Sequence, residues 1–321
     1  MPRLSNFLWS RDREPAPITC GRVEKPQIEP ALRLLLCRPE GLADDQAVLE
    51  FLSFASERKI DIRQMWIAQV GEEIAWTLLP ITNPGRTMLL FTPAHIPQAI
   101  CIPAAEKLTD AICSHWHDHG MQLAQLLLDP QDTPVCDLYL KSGFELLAEL
   151  IYLQRTVRKP AAVEMPAGFS LTKYSDQTHA DFADAIQRSY EGSLDCPSLN
   201  GRREIEDVIA GHKSTGVFDP TLWHLLREGA EPRGVLILSP SQYADALELV
   251  YLGLTPPARG RGLGDLMMRI AFDAVPRQQR SDLTLAVDSH NQPAMNLYFR
   301  HGLKRIGSRL AMLRELHSPV V

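Results

Sequence analysis

The sequence predicts an α/β protein with a mixed sheet, built as two tandem domains of one type. Its 321 residues are 45% hydrophobic and 22% charged, the makeup of a packed chain long enough to close two cores. Apolar segments of strand period and helix period follow one another in the same order in both halves. A shift of 159 positions lays Asp129 on Asp288, Pro134 on Pro293, Leu138 and Tyr139 on Leu297 and Tyr298, and Gly143 on Gly302.

Residues 1–30 contain Pro2, Pro15, Pro17, Pro26 and Pro30 and read as an irregular lead-in. The first domain is expected over 31–157. Within it, 31–37 reads as a short apolar strand and 44–56 as an amphipathic helix, followed by strands at 65–70, 74–79 and 87–91. Asn83, Pro84 and Gly85 turn between the last two. A helix over 103–119 has proline in its first turn and stops before Gly120. A strand at 123–128, a helix at 135–141 and a strand at 144–153 complete the unit. Residues 158–162 read as the linker. The second domain, 163–316, repeats the order with a strand at 169–173, helices at 179–190 and 202–209, and strands at 222–226, 235–238 and 246–254. A helix at 263–274, a strand at 283–287, a helix at 293–301 and strands near 306 and 310–313 close it.

Lysine and arginine number 33 against 39 aspartates and glutamates, a formal charge of −6. That balance supplies no global attraction to nucleic acid or an anionic membrane. The six cysteines include no Cys-x-x-Cys pair and read as scattered reduced thiols of a cytoplasmic protein. The apolar runs are too short to span a bilayer.

The most informative segment is 247–264: an apolar strand, the turn Thr255-Pro256-Pro257-Ala258, then Arg259-Gly260-Arg261-Gly262-Leu263-Gly264 opening a helix. Glycines at a helix N-terminus leave backbone N–H groups free to cradle a pyrophosphate, with Arg259 and Arg261 adding charge at the rim. A dinucleotide fold is disfavoured, because the loop follows a meander of strands and no acidic residue ends a second parallel strand some twenty residues on. No Gly-Lys-Ser/Thr follows, so it is not a Walker loop.

Arg259-x-x-Gly262-x-Gly264 resembles the Q/R-x-x-G-x-G/A signature of the GCN5-related N-acetyltransferases, at the strand-to-helix junction where that family carries it. Asn291, Ala294, Leu297-Tyr298 and Gly302-Leu303 resemble its second signature, with leucine where phenylalanine is commoner. The resemblance covers about residues 165–316. It implies two tandem acyl-CoA N-acyltransferase domains, in a layout similar to two-domain members whose C-terminal repeat holds the catalytic site. The first half keeps Leu138-Tyr139 and Gly143-Phe144 but has Ile100-Cys101-Ile102-Pro103-Ala104-Ala105 where the glycines would stand, and Pro103 removes a donor. It reads as a degenerate repeat.

The resemblance implies acetyl-CoA as acyl donor, its pyrophosphate on the N–H groups of Arg261, Gly262, Leu263 and Gly264 beside Gly260. Its pantetheine arm would pair with the backbone of Leu252 and Leu254, where the family's strands splay, and Leu252 N–H would face the thioester carbonyl. Tyr298 is the implied general acid and Glu248 the general base. Simple alternation places Glu248, Val250 and Leu252 on one face, and apolar neighbours should raise the Glu248 pKa. Asn291 is expected on the cofactor, or capping its helix. Asp288 reads as a structural strand-end residue, and Cys196 as a half-buried thiol rather than a nucleophile. Acceptor contacts are expected from 190–203, including Glu191, Asp195 and Arg202. The acceptor class is a small-molecule or peptide amine, with oligomeric state open. His115, His117 and His119 at a helix end read as dipole partners rather than metal ligands, and no metal is expected. Two other readings fit the same residues: a non-catalytic acyl-CoA-binding sensor, and a transferase of another acyl group.

Overall fold

Pro17 precedes a strand rather than preventing one. Residues 16–316 are described by the computed structural model, and β1 (Ile18–Arg22) pairs antiparallel with β2 (Trp66–Val70) at one edge of the sheet. An edge strand tolerates proline at its start, because no inner ladder loses a donor. The segment read as an irregular lead-in is therefore part of the sheet from Ile18 onward. The run expected as a strand at 31–37 is also different: it lies in a helix, α1 (Ile28–Leu35). Pro30 sits in the first turn, where its missing N–H costs nothing. Ala31, Leu32 and Leu35 are buried on one face, while Arg33 turns back to Glu29 one turn away. A short apolar run is compatible with either element, and here the helical face found a core.

The first half continues with α2 (Asp45–Glu57), β3 (Glu73–Asn83), β4 (Thr87–Phe91), α3 (Cys101–Asp118), β5 (Leu123–Leu128), α4 (Thr133–Lys141) and β6 (Glu145–Thr156). The second runs β7 (Phe169–Lys173), α5 (His179–Ser189), α6 (Ile205–Ser214), β8 (Trp223–Glu228), β9 (Glu231–Pro240) and β10 (Ala246–Leu254). It closes with α7 (Leu263–Arg277), β11 (Asp282–Asp288), α8 (Gln292–Arg300) and β12 (Lys304–Glu315). At the offset of 159 residues, α4 falls on α8 and β6 on β12, end to end. The offset also carries a hydrogen bond: Asp129 Oδ1 accepts the Gln131 N–H at 3.0 Å and Asp288 Oδ1 the His290 N–H at 2.8 Å.

All twelve strands form one sheet in the order β1-β2-β3-β4-β5-β12-β6-β11-β10-β9-β8-β7. The last strand of each half has crossed into the other. β12 pairs with β5 of the first half, β6 pairs with β11 of the second, and the two cross-paired strands run antiparallel to each other at the centre. On one face, α3 and α4 close one apolar cluster and α7 and α8 another. The opposite face carries α1 and α2 over the first half and α5 and α6 over the second.

Two further contacts tie the halves on that second face. The β3–β4 turn reaches α6, where Arg86 Nε donates to Asp207 Oδ2 at 2.8 Å. Gly85, at φ +85, lies so close to the Asp207 carbonyl that a Cβ would fall 2.1 Å from it. From the other side, the β9–β10 turn places Tyr243 over the Arg58 guanidinium, which also stacks on Phe54 at 3.8 Å.

Because the central strands interlock, a chain carrying an engineered protease site between Arg158 and Glu164 should stay in one piece after cleavage. Gel filtration at micromolar concentration should show both fragments co-eluting, and separate monomers would contradict the interlocked sheet.

Candidate active site

Thr255 sets the phase of the strand before the glycine loop. Its backbone N–H donates to the Arg233 carbonyl at 3.0 Å and its hydroxyl to the same oxygen at 3.2 Å. In an antiparallel ladder this turns the backbone groups of Leu254, and two residues back those of Leu252, away from β9. On that other side β11 pairs with β10 only from Ala246 to Glu248, after which the two parallel strands diverge. Leu252 therefore presents its N–H and C=O to an open gap. Leu254 presents its N–H, while its carbonyl accepts from Arg259 Nε at 3.1 Å.

A β-bulge between Leu249 and Tyr251 corrects the expected side-chain alternation. The extra residue shifts the period, so Leu252 and Leu254 join Leu247 and Leu249 against α7, while Val250 and Tyr251 pack toward α5 and α6. Glu248 is thus on the face opposite Leu252. It is half-buried, and burial raises its pKa above the ordinary carboxylate range. Its carboxylate has no hydrogen-bond or ion-pair partner among the described residues.

The loop ends in Gly260 at φ +71 and Gly262 at φ +74, and a Cβ at either would point into open space. Gly262 is the left-handed cap from which α7 starts. Among the described residues, the N–H groups from Gly260 to Asp265 have no acceptor, whereas Leu266 N–H already bonds Gly262. Six consecutive donors beside a strand gap are a ready seat for a diphosphate.

The two arginines do something other than line a rim. Arg259 donates to the carbonyls of Leu254, Gly192 and Ser189, the last at 2.9 Å, and so clamps the end of α5 to the loop. Arg261 forks onto Glu228 at 2.6 and 3.0 Å. With Arg233 it holds that carboxyl down at about 2. Their sequence spacing could not show that each charge had a partner across the sheet.

Tyr298 lies on α8, which packs on α7 with Leu297 against Gly264. Burial, then the nearby Asp195 charge, pushes its phenol far above the ordinary value, so it stays protonated. No hydrogen bond engages its hydroxyl among the described residues. Its counterpart Tyr139 differs: that hydroxyl is bonded to Thr92 and is fully buried. Asn291 caps α8 through Ala294 N–H at 3.3 Å, so its amide oxygen is engaged by the helix, and it helps to offset the rise that burial imposes on the Asp195 carboxyl.

The 190–203 segment splits in role. Asp195 folds over the end of β11, where Asp288 N–H lies 3.4 Å from its Oδ1. Arg202 does not face an acceptor: it pairs with Glu145 and, at 3.5 Å, Glu315, tying the segment to the central strands. Glu191 is exposed. Cys196 takes φ +44 with its N–H on Asp288, and burial beside two carboxylates pushes its thiol up to about 12, too high for a nucleophile.

The histidines at the end of α3 are engaged in stacking: His115 lies 5.0 Å from Trp66 and 4.2 Å from His119. Among the described residues no group of three or more potential ligands is arranged for a metal. No described helix is long and apolar enough to cross a membrane. Sequence reading missed Tyr152 of β6, whose phenol lies in the field of the Glu248 carboxylate. The missing signal was the strand exchange that carries β6 beside β11.

Comparison with known proteins bears on this arrangement of split strands and donor-lined loop. Residues 186–303 match the acetyltransferase (GNAT) family. A mycothiol acetyltransferase of Jonesia denitrificans is 22% identical over 242 residues, 73% of this chain and 74% of that one. Another, from Clavibacter sepedonicus, is 24% identical over 163 residues, half of this chain and 52% of its own length. A GCN5-related N-acetyltransferase from Sphaerobacter thermophilus shares the fold at a TM-score of 0.59 with 15% identity, over 94% of this chain and 97% of that one. A tandem GNAT protein from the clavulanic acid biosynthesis pathway does so at 0.51 with 11% identity, over 94% and 99%. The second half of the chain thus carries the match to the GNAT family, and the chain as a whole shares the fold of a tandem GNAT protein.

A carboxyl whose folded pKa exceeds its unfolded value costs stability at every pH above the folded value, and nothing once protonated in both states. Glu248→Gln should therefore raise the Tm at neutral pH, with the gain fading as pH falls through the raised folded pKa and gone below the unfolded carboxylate value. An equal Tm at neutral pH would mean the carboxylate is solvated.

Proposed function

We propose that the chain transfers the acetyl group of acetyl-CoA directly to a primary amine, at the β10–β11 gap of the second half. The unsatisfied donor run from Gly260 to Asp265, abutting a strand edge with open backbone groups, carries this reading. The donors suit the diphosphate and the edge suits an amide-bearing arm added like a short strand. The first half lacks the donor run, since α3 opens with Cys101 and Pro103 and residues 92–100 before it hold no glycine.

The chemistry follows from the two unengaged groups. Glu248, directly or through water, takes a proton from the ammonium form of the acceptor. The amine lone pair attacks the thioester carbonyl, forming the C–N bond, while Leu252 N–H supports the developing oxyanion. The C–S bond then breaks, the Tyr298 hydroxyl protonates the departing thiolate, and the second proton shed by the amide nitrogen restores the phenol through solvent. A phenol held above its ordinary pKa is a reserve of protons at neutral pH, and a carboxyl raised by burial is a stronger base once ionised.

Acetyl-CoA at a hundred times its Kd should stabilise the protein by about 2.7 kcal/mol. Gly262→Glu, which strains the positive φ and sets a negative charge among the donors, should remove the shift. Tyr298→Phe should lower turnover by about a hundredfold or more. Activity should rise with pH along a limb above the ordinary carboxylate range, absent in Glu248→Gln. Unchanged turnover in both variants would overturn this mechanism.

A further inference from the structure

Two parallel strands part in the first half as well. Pairing of β4 with β5 stops at Leu89 and Gln125, while the strands run on to Phe91 and Leu128. Between them lies a slot of about 930 Å³ lined from both faces of the sheet, by Phe54 and Arg58 at the end of α2 and by Val135 of α4. The neighbouring strand β12 widens it. A bulge there sets Ile306 outside the ladder, and a Cβ on the adjoining Gly307 would meet nothing within 4 Å. Leu127 and Ile306 line the slot yet are 41% and 61% exposed, large apolar side chains left open to water. A mostly apolar cavity of this size with a few polar groups is the usual seat of a small organic ligand.

The charged groups at its rim are not equally engaged. Arg309 donates to the Ser308 carbonyl at 2.8 Å and stands 3.7 Å from Asp129, whose other oxygen accepts the Gln131 N–H at 3.0 Å. Asp132 immediately precedes α4, where a helix N-terminus offsets negative charge. Arg58 differs. Its guanidinium carbon lies over the rings of Phe54 and, from the β9–β10 turn of the second half, Tyr243, at 3.8 and 4.4 Å. None of its five N–H donors has an acceptor among the described residues. The rings fix the cation in place without spending a donor, and a fixed guanidinium fork is shaped for a carboxylate. A CoA thioester does not suit the slot: residues 92–100 hold no glycine, Pro103 offers no N–H, and Thr92 engages the Tyr139 hydroxyl.

We propose that the slot of the first half is a second ligand site, and that it takes a carboxylate on an apolar chain, with the chain between β4 and β5 and the carboxylate on the Arg58 fork. The site uses no group of the β10–β11 gap, so it stands apart from the transferase reading. Chain length supplies the affinity, and Arg58 chooses the head group. An ammonium in the same position would meet a like charge, and an uncharged amide would accept the N–H groups without the charge attraction.

The test is calorimetric titration of the full chain with straight-chain carboxylates from hexanoate to decanoate, beside octanamide and octylammonium, in wild type, Arg58→Gln and Ile306→Glu. The melting temperature without ligand reports whether each variant is folded. Ile306 is largely exposed, so its substitution tests the slot even where loss of the Arg58 ring contacts unsettles the fold. One carboxylate should bind per chain, with Kd falling about fourfold for each added methylene. The Kd of octanoate should rise at least tenfold in each variant, and octylammonium should not bind. No carboxylate binding to wild type, octanamide or octylammonium binding as tightly as octanoate, or an octanoate Kd unchanged in Ile306→Glu overturns the site. Displacement of octanoate by a second equivalent of acetyl-CoA also overturns it, because the slot would then be a cofactor seat. The stabilisation by acetyl-CoA through Gly262 is read separately, so either reading can fail without the other.

Discussion

The structure depends on the antiparallel pairing of β6 and β12 at the middle of the sheet. Each strand is the last element of its own half and lies beside the other half's fifth strand. Without β12, β5 and β6 would both have unpaired edges in the centre of the protein, where buried backbone groups are costly to leave unsatisfied. The exchange also decides which side chains meet. It sets Tyr152 of the first half opposite Ala286 of the second.

The candidate site follows from a failure of pairing. β10 and β11 part after Glu248 because β10 stays in register with β9 through its bulge, while β11 follows β6 along its whole length. A strand held fully on one side and released on the other presents backbone donors and acceptors without exposing a disordered chain. Arg259 stabilises that opening from behind by binding the last carbonyl of β10 and the end of α5. Tyr298 and Tyr139 stand at one helix position with different surroundings: among the described residues the Tyr298 hydroxyl has no hydrogen-bond partner, whereas that of Tyr139 is bonded to Thr92 and closes the core.

Much of this was legible in the residues. The element order, the bounds of β10 and β7, the offset between α4 and α8, and the left-handed glycines before α7 all leave local marks: apolar period, capping and turn chemistry. What did not read was non-local. Residues 31–37 looked like a strand because a short apolar run does not declare its period. The bulge at Val250 has no local residue signature and reverses the face of everything after it. The partners of Arg259, Arg261 and Arg202 lie far along the chain, so spacing alone left their charges looking free. The order of strands, with β12 and β6 exchanged, depends on how two similar units meet.

The exchange has a bearing on descent. A lone unit of this kind would lack a partner for its fifth strand and would complete its sheet by trading last strands with a second copy, in an assembly that falls apart on dilution. Joining two copies through a dozen linker residues makes that trade intramolecular and independent of concentration. Once joined, the copies are released from having to be identical. The first can do without an anion-binding loop and remain indispensable, because what the second requires of it is a strand.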